Sequence, residues 1–537
     1  MKKIFLSIAL LCAASWVAPT VATAQNLVPI PLKMASAQGQ PLVWQNVGQI
    51  NCPDELANEK AHLLRILADR AGITTLNDNG TAQITLSIDT SLNDDEAYTL
   101  SIDENGVNIA GKTAAGVFYG IMTMEQLMID DNASARCIET NPITIEDAPR
   151  THVRELMVDP CRIFVPYERL KEIVPEMARY KLNSIHLHLV DDQAWRIEIK
   201  KYPQLIEKST SRVGMDDMLI PISGYYTQEQ MKDFVKYCAQ YHVMVVPEIE
   251  MPGHEVAAIH AFPELTCGGK QVPIRTTCGV SNELLCPGNE FTYEFLGNVF
   301  RELADVFPCK YVHLGGDEAG NPALDCWTTC EKDKKLKKEL GITTTDRSEN
   351  WKLQKYMFDR VIDTLRTKYD KIPMFWYETD FKEIQEGCVT FAWRNGLTEP
   401  AVQAAIDNNA KIMMCPGDYC YFDYPMASGD MPEVNWGMPV RTFETVYQFD
   451  PGWGKGEDFE KNNLFGVAGT LWSESINSPE RIFYQAYPRS LILAEAGWSA
   501  QKNRSWKGFL KRSRPLMLDL QHRGITFSMP TEYIDLQ

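Results

Sequence analysis

The chain has 537 residues, of which 45% are hydrophobic and 23% are charged. These values are typical of a globular protein, and they exclude a disordered chain, a collagen and a small disulfide scaffold. The formal net charge is −18, because 71 acidic residues outnumber 53 basic ones. An acidic protein repels phosphate backbones, so we predict no nucleic-acid partner and expect a neutral or cationic substrate.

The first residues have the pattern of an export signal. Lys2 and Lys3 precede an apolar run over 4–17, and Ala22-Thr23-Ala24 follows as a small-residue cleavage site. This pattern predicts a cleaved signal peptide over 1–24 and a protein that is exported, either periplasmic or extracellular. The apolar run is too short to cross a bilayer comfortably, and no later run is longer, so we predict no membrane span.

Export makes disulfides possible, and thirteen cysteines follow the predicted signal peptide. This number is odd, so at least one thiol is unpaired within the chain. Three pairs are close enough in sequence to bond: Cys267/Cys278, Cys326/Cys330 and Cys415/Cys420. The spacing Cys326-x3-Cys330 could also suit a metal, but no second Cys/His pair stands at a zinc-ribbon distance, so we predict neither a metal nor a cofactor.

Residues 25–150 are predicted to form a small α+β domain. Glu55 to Ala71 and Thr113 to Ile129 have helical spacing of apolar residues, and Gln83 to Ile88 alternates as a strand. Asn105-Gly106 lies between two further strand-like segments and predicts a hairpin. No catalytic residue types gather in this unit, so we interpret it as a supporting domain.

From residue 151 to 537 short apolar strands alternate with longer amphipathic helices. The eight predicted strands are Leu156–Asp159, Ser184–Asp191, Val243–Glu250, Tyr311–Gly316, Pro373–Glu378, Val389–Arg394, Lys411–Cys415 and Val467–Trp472. The predicted helices are Tyr167–Leu182, Gln228–Tyr241, Tyr293–Phe307, Trp351–Lys368, Pro400–Asn409 and Pro479–Trp498. The connection 416–465 shows no clear helix. Eight such units predict an α/β fold, a (β/α)8 TIM barrel with a C-terminal helix.

Acidic residues and tryptophans gather where the predicted strands end. The strand ends carry Asp159, Asp191-Asp192, Glu248 and Glu250 with His254, Asp317-Glu318, Trp376 with Glu378, Trp393-Arg394, and Trp472 with Glu474. In this fold the carboxyl ends of the strands meet at one rim, which holds the active site. Carboxylates beside indole rings suit a carbohydrate, since sugars offer hydroxyls for hydrogen bonds and apolar faces for stacking.

The densest part of this rim is His313-Leu314-Gly315-Gly316-Asp317-Glu318. Successive side chains of a strand point to opposite faces, so two adjacent acids cannot both face inward from a regular strand. The two glycines allow the chain to turn there, so both acids can reach the pocket. Neighbouring carboxyls raise each other's pKa, which suits a general acid.

These residues resemble the HxGGDE signature of glycoside hydrolase family 20, the β-N-acetylhexosaminidases. The resemblance extends to 154–159, 183–198, 247–254 and the C-terminal 512–530, and so covers essentially all of 25–537. It departs from the family's usual pattern at Glu155, Ile163, Glu250, Tyr377 and Phe422. It implies an exo-acting, retaining enzyme that removes terminal N-acetylglucosamine or N-acetylgalactosamine from glycans. Dimers occur in this family, so a homodimer is compatible with it.

The resemblance also implies roles for individual residues in substrate-assisted hydrolysis, in which the substrate's acetamido group replaces the enzyme nucleophile. Glu318 would be the general acid and then the base, and Asp317 would orient the acetamido group. Asp191 or Asp192, with His254, would tune the protonation of Glu318, and sequence spacing leaves both aspartates open. The implied sugar-binding residues are Arg154, Trp376, Trp393, Tyr421, Asp423, Trp472 and Glu474, with Arg154 beside Glu474 or the sugar hydroxyls. Specificity is expected from 416–465 and 319–350.

Parts of the sequence also fit two other functions. His186-x-His188 lies on a predicted strand, where both rings would point into the barrel and could bind a metal together with His254, His260 or His313. The other strand ends lack the histidine, lysine and aspartate that such a metal site needs, so we interpret these histidines as part of the core. A catalytically inactive carbohydrate-binding barrel is disfavoured because both Asp317 and Glu318 are present.

Overall fold

The structure is a computed structural model. It describes residues 26–129, 136–215, 218–319, 326–343, 347–379, 383–430, 432, 435–476 and 478–536. The predicted signal peptide lies outside the described residues. Within them, none of the helices is long and apolar enough to cross a membrane.

The N-terminal part folds around one mixed six-stranded sheet. In spatial order its strands are Lys33–Ser36, Ile143–Asp147, Tyr98–Asp103, Gly106–Gly111, Ala82–Ile88 and Val47–Asn51. Helices Ala57–Ile66 and Ala114–Leu127 accompany it, and the short strands Leu42–Val43 and Glu139–Thr140 pair separately. The predicted hairpin is confirmed, with Asp103 opposite Gly106. The hydroxyl of Thr113 accepts the N–H of Ala115 and so caps the second helix.

Eight parallel strands close into a barrel. They are β1 Val153–Val158, β2 Ser184–His188, β3 Met244–Glu248, β4 Tyr311–His313, β5 Ile372–Trp376, β6 Val389–Ala392, β7 Lys411–Met414 and β8 Leu464–Leu471. All eight predicted strands are confirmed, although each ends one to three residues earlier than expected. The predicted strand 311–316 stops at His313, because the chain turns at Gly315 and Gly316.

Helices surround the barrel, and short strand pairs extend two of its loops. The helices are Tyr167–Arg179, Gln204–Ser209, Gln228–Ala239, Val256–Ala261, Glu290–Val306, Cys326–Thr329, Glu331–Glu339, Trp351–Tyr369, Thr398–Asp407, Phe443–Tyr447, Glu457–Asn462, Pro479–Ala486, Arg489–Trp498 and Trp506–His522. The strand pairs are Val190–Asp191 with Ala194–Trp195 and Ser211–Met215 with Met218–Ser223.

Two helix predictions need correction. The predicted helix 479–498 is two helices, because Pro488 has no N–H to continue the first one and instead precedes the second. The connection 416–465, expected to lack a helix, contains Phe443–Tyr447 and Glu457–Asn462. These helices have five and six residues, too few for an apolar period to be visible in the sequence.

The small domain packs against the N-terminal end of the barrel strands through buried polar groups. Lys181 follows the first barrel helix and is 1% exposed. Its Nζ lies 3.0 Å from Asp147 Oδ2 and 3.0 Å from the hydroxyl of Tyr98. Trp498 Nε1 donates to the same Asp147 oxygen at 2.9 Å. This network joins the small domain to the barrel, far from the rim where the strands end.

Candidate active site

A pocket of about 560 Å³ opens at the carboxyl ends of the barrel strands. Of the predicted site residues, the following line it: His254, Asp317, Glu318, Trp376, Trp393, Tyr421, Asp423, Trp472 and Glu474. Residues without a predicted site role also line it: Arg162, Cys278, Gly279, Val280, Arg394, Asn395, Tyr424, Trp436 and Met438. The structure therefore brings together side chains from the ends of strands β1, β3, β4, β5, β6, β7 and β8.

The turn after β4 presents both acids to this pocket, as the glycines predicted. Gly315 and Gly316 have φ values of +62° and +102°, a region that residues with a Cβ rarely adopt. A Cβ on Gly315 would also lie 1.6 Å from Glu250 Oε2. Glu318 itself has φ of +58°, which is uncommon for a residue with a side chain and is typical of strain held at a functional site.

Asp317 is a largely buried carboxylate, and one of its oxygens is fully buried without a partner among the described residues. Burial, together with the negative charges of Glu318 and Glu248, raises the pKa of Asp317 to about 6, although His254 opposes this shift. Among the described residues, Asp317 Oδ1 has no hydrogen-bond partner. A buried acceptor without a donor is costly, so this oxygen is suited to accept a hydrogen bond from a ligand.

Glu318 is held between two cationic groups. Its Oε2 lies 3.4 Å from His254 Nε2, and its Oε1 lies 3.7 Å from Arg394 Nη2. Burial raises the pKa of Glu318, but the hydrogen bond and charge of His254, helped by Arg394, outweigh burial and lower it overall. The pKa of Asp317 is thus raised while that of Glu318 is lowered. Paired carboxyls whose pKa values differ in this way commonly have different roles in an active site.

His254 connects the acid pair to Asp191. Its Nδ1 lies 3.3 Å from Asp191 Oδ1, and its Nε2 lies 3.6 Å from Asp317 Oδ2. Burial opposes a charge on His254, yet Asp191 and Asp317 together raise its pKa well above the usual value. Asp191 also binds Arg162 Nη2 at 2.6 Å. Without substrate, the proton of this group therefore resides on His254.

The geometry distinguishes the two aspartates that the sequence left open. Asp192 Oδ1 accepts the backbone N–H of Val256 at 3.2 Å, whereas the hydrogen bond to the His254 ring belongs to Asp191. Burial raises the pKa of Asp192 to about 6. Asp191 is therefore the aspartate in line with His254 and Glu318, and Asp192 fixes the loop that carries His254.

The prediction that Arg154 binds substrate needs correction, because this residue does not line the pocket. Arg154 lies near the start of β1 and is completely buried, with Nε donating to Lys181 O at 2.6 Å and Nη1 to Thr151 O at 2.8 Å. Its Nη2 lies 2.6 Å from Glu96 Oε2 of the small domain. Residues at the N-terminal end of barrel strands serve stability, and Arg154 fits that pattern.

Arg162 lines the pocket in the place expected of Arg154, and the sequence analysis missed it. It follows the end of β1, with its Nη2 3.6 Å from Glu474 Oε1 and its guanidinium 5.1 Å from the centre of the Trp472 ring. The available signal was its place after the strand, where the chain reaches the rim. Asp423 lies on the same side: burial and then Glu474 raise its pKa well above the usual value, and its Oδ1 has no partner among the described residues.

Three tryptophans form the aromatic wall that the sequence predicted. Trp376 Nε1 donates to Glu248 Oε1 at 2.8 Å, and Trp393 Nε1 donates to the backbone oxygen of Tyr377 at 3.0 Å. The rings of Trp376 and Trp472 lie 5.7 Å apart. Trp436 was missed: it is 61% exposed and extends the wall outward beside Tyr424. Its position in the long 416–465 connection gave no periodic signal.

Glu378 and Arg394 support Glu318 from the neighbouring strand ends. Glu378 Oε1 accepts the backbone N–H of Glu318 at 2.9 Å, and Glu378 Oε2 lies 3.1 Å from Arg394 Nη1. Burial raises the pKa of Glu378 to about 7, while Arg394 opposes the shift. The sequence placed both residues at strand ends but assigned neither a role.

Below the pocket, carboxylates surround His186 and His188, the two strand histidines that could have bound a metal. His186 Nδ1 lies 3.2 Å from Glu155 Oε1, and its Nε2 lies 3.0 Å from Glu248 Oε2. His188 Nε2 lies 3.1 Å from Glu250 Oε1. This arrangement agrees with histidines paired inside the core, and Glu248 in turn holds Trp376. The absence of a metal at these histidines stays a prediction.

Comparison with known proteins extends these observations to the whole chain. The model of the glycosyl hydrolase family 20 catalytic domain matches residues 152–501, and that of domain 2 of the same family matches 24–148. A β-hexosaminidase of Akkermansia muciniphila is 35% identical over 85% of this chain and 87% of its own length.

Solved structures give the same result. A β-N-acetylhexosaminidase crystal structure has a TM-score of 0.80 and 30% identity, over 94% of this chain and 96% of that one. A family 20 exo-β-N-acetylglucosaminidase from Vibrio harveyi, in complex with N-acetylglucosamine, has a TM-score of 0.82 and 28% identity, over 96% and 80% of the two chains.

The chain therefore belongs to glycosyl hydrolase family 20. It is a glycoside hydrolase, and its function within that class is that of a β-N-acetylhexosaminidase.

Proposed function

We propose that the protein removes terminal N-acetylglucosamine or N-acetylgalactosamine from glycans by retaining, substrate-assisted hydrolysis. The observation that carries this proposal is the pair of adjacent acids on the turn after β4, with His254 between them at 3.6 Å from Asp317 and 3.4 Å from Glu318. In this mechanism the acetamido oxygen of the sugar attacks C1, so the enzyme supplies one carboxyl for the acetamido group and another for proton transfer.

Asp317 is the partner of the acetamido group in this proposal. Its unpartnered Oδ1 would accept the acetamido N–H, and its negative charge would stabilise the positive charge that develops as the oxazolinium ring closes. Tyr421 lines the same pocket and would hold the acetamido oxygen by a hydrogen bond. Trp376, Trp393 and Trp472 would enclose the acetamido methyl group and the apolar face of the sugar.

Glu318 is the general acid and afterwards the general base. Without substrate it is ionised beside His254, which carries the proton. A bound sugar excludes water from Glu318 and raises the cost of its charge, so the proton passes from His254 to Glu318. Glu318 then protonates the glycosidic oxygen, and it accepts a proton from the water that opens the intermediate.

Arg162, Asp423 and Glu474 would bind the sugar hydroxyls. Asp423 has a buried oxygen without a partner among the described residues, and Arg162 places its charge against Glu474. The Vibrio harveyi relative was solved in complex with N-acetylglucosamine, which supports an N-acetylhexosamine as the ligand.

The test compares aryl N-acetyl-β-D-glucosaminide and N-acetyl-β-D-galactosaminide with the matching β-glucoside and β-galactoside, which lack the acetamido group. We expect hydrolysis of the acetamido substrates and none of the plain ones. Asp317→Asn should lose about 10²-fold or more in kcat/KM on the acetamido substrates, the size typical for loss of a transition-state charge partner. Wild-type kinetics in this variant would contradict the substrate-assisted mechanism.

We also propose that the protein is exported after cleavage at Ala24, on the basis of the residue pattern over 1–24. The mass of the protein secreted by its native host should correspond to a chain that begins at Gln25. An intact Met1 in the mature protein would contradict export by this signal. A homodimer stays a prediction, and light scattering on the mature protein would test it.

A further inference from the structure

A cluster of cysteines lies outside the residues assigned to hydrolysis. Cys267, Cys286, Cys330 and Asp333 each place one side-chain sulfur or oxygen within 4.8 Å of those of the others. Cys267 Sγ lies 2.9 Å from Asp333 Oδ2, and Cys286 Sγ lies 3.4 Å from Asp333 Oδ1. Cys326 is a further neighbour of Cys267. The sequence showed only the pair Cys326 and Cys330, because the other two cysteines come from an earlier loop.

The separation of the sulfurs suits ligands of one ion. Cys286 Sγ and Cys330 Sγ lie 3.8 Å apart. Tetrahedral zinc with Zn–S bonds of about 2.3 Å places two thiolates about 3.8 Å apart, whereas a disulfide requires about 2.05 Å. The structure contains no disulfide among Cys267, Cys286, Cys326 and Cys330.

The surroundings of Cys330 favour a thiolate. Cys330 is the N-cap residue of the helix Glu331–Glu339, so its sulfur lies at the positive end of a nine-residue helix. A helix N-terminus and backbone N–H groups stabilise negative charge on sulfur, which is the form that binds metals.

Asp333 supplies a buried oxygen to the same cluster. It is completely buried, and its Oδ1 accepts the backbone N–H of Gly288 at 2.7 Å. A carboxylate in such a position is costly unless it is paired or coordinates a metal. Among the described residues, the other hydrogen-bond donors to Asp333 are the thiols of Cys267 and Cys286, and thiols are weak donors.

We propose that Cys267, Cys286, Cys330 and Asp333 bind one Zn²⁺ ion in a closed structural site. Three soft thiolates and one carboxylate around a tetrahedral centre favour zinc over magnesium or calcium, which prefer oxygen ligands. Four protein ligands leave no open position, so the ion has a structural role.

This site would tie together two loops beside the active site. Cys267 and Cys286 lie at the two ends of the loop that contributes Cys278, Gly279 and Val280 to the pocket wall. Cys330 and Asp333 lie on the segment that follows Glu318 along the chain. The ion would therefore fix one wall of the pocket relative to the strand end that carries the acid pair.

The first experiment measures metal content by mass spectrometry of the full chain, purified without chelator from cells grown with added zinc. We expect about one zinc per chain. Cys286→Ser and Cys330→Ser should lose it, whereas Cys52→Ser, which changes a half-buried cysteine of the small domain, should keep it. Wild-type protein without zinc, or zinc retained in both variants, would overturn the proposal.

A second experiment needs no variant. Wild-type protein is reduced, stripped of metal and titrated with Co²⁺, and we expect the visible bands of tetrahedral cobalt with thiolate ligands at one equivalent. Trypsin should cut between 267 and 286 faster in the stripped protein than in the zinc-loaded protein. Two disulfides among the four cysteines, found by the intact mass of the oxidised native protein, would overturn the proposal.

The fourth ligand has its own test. Asp333→Asn should weaken zinc binding at least 10-fold, while Cys326→Ser should leave it within about 3-fold, as measured by competition with a zinc chelator. The reverse order would overturn the assignment of Asp333.

Discussion

Buried charges lie at both ends of the barrel, and the two ends differ in whether those charges have partners. At the N-terminal end, Arg154 donates from all three guanidinium nitrogens, and Lys181 pairs with Asp147. At the C-terminal end, Asp317 and Asp423 each keep a buried oxygen without a partner among the described residues. The hydrogen-bonded groups of Arg154 and Lys181 join the two domains, whereas the unpartnered oxygens of Asp317 and Asp423 are available to bind a ligand. Variants at the two ends should therefore fail in different ways.

The largest effect is expected at the C-terminal end, for Glu318→Gln. The amide cannot donate a proton to the leaving group, so kcat/KM should fall by about 10²–10⁴-fold on substrates with poor leaving groups. Substrates with good leaving groups need less protonation and should lose much less. Kinetics on a series of aryl N-acetylglucosaminides would measure this difference, with Glu207→Gln as an exposed control. Equal losses across the series would contradict the acid role.

At the N-terminal end, Lys181→Met should reduce stability rather than catalysis. The change leaves Asp147 as a buried charge without its cation, which typically costs about 3–5 kcal/mol of unfolding free energy. Lys310→Met is the matched control, because Lys310 pairs with Asp370 on the surface and such pairs contribute about 0–1 kcal/mol. Denaturant unfolding would compare the two variants. A stability loss no larger than that of the control would mean that the network does not hold the domains together.

The two arginines allow the same comparison with one type of substitution. Arg162→Lys should raise KM about 10–100-fold, because a single ammonium cannot contact Asp159, Asp191 and Glu474 at once as the guanidinium does. Arg154→Lys should lower the melting temperature and leave KM unchanged. Steady-state kinetics and thermal unfolding of both variants would show which arginine contributes to substrate binding and which to stability. A raised KM in Arg154→Lys would restore the original assignment of that residue.

The pH dependence of stability gives a further test of the C-terminal end. Burial raises the pKa of Asp317 from 3.8 to about 6, so between these pH values the folded state holds a proton that the unfolded state has lost. Stability from this group is therefore present below pH 3.8 and is lost as pH rises through about 6. Asp317→Asn does not titrate, so it should exceed the wild type by up to about 3 kcal/mol at pH 7 and match it near pH 4.

Unfolding curves at both pH values test this expectation, with Asp78→Asn as an exposed control. If Asp317→Asn were less stable than the wild type at pH 7, burying the ionised Asp317 carboxylate would not cost folding free energy.

Much of the barrel was predictable, because each strand is a short apolar run that is buried on both faces. The acid pair was also predictable, since His313 to Glu318 combine a buried strand, two glycines and two acids. Three features were not. Arg154 lies at the start of strand β1 and Arg162 follows its end, so telling their roles apart requires accurate strand ends. The apolar spacing over 479–498 continues across Pro488, so the division into two helices could not be seen from that spacing. The cysteine cluster joins segments that lie 44 residues apart between Cys286 and Cys330, and local spacing contains no information about that contact.

The close approach of Gly315 to Glu250 has a consequence for how this enzyme can evolve or be engineered. No other residue fits at 315 without displacing a buried carboxylate, so the segment that carries the acid pair tolerates almost no sequence change. The outer wall is different, because Trp436 is 61% exposed and a Cβ on Gly279 would meet only the Arg275 side chain, at 3.6 Å. New glycan preferences can therefore be selected in these loops while the chemistry stays intact, and libraries for altered specificity belong there.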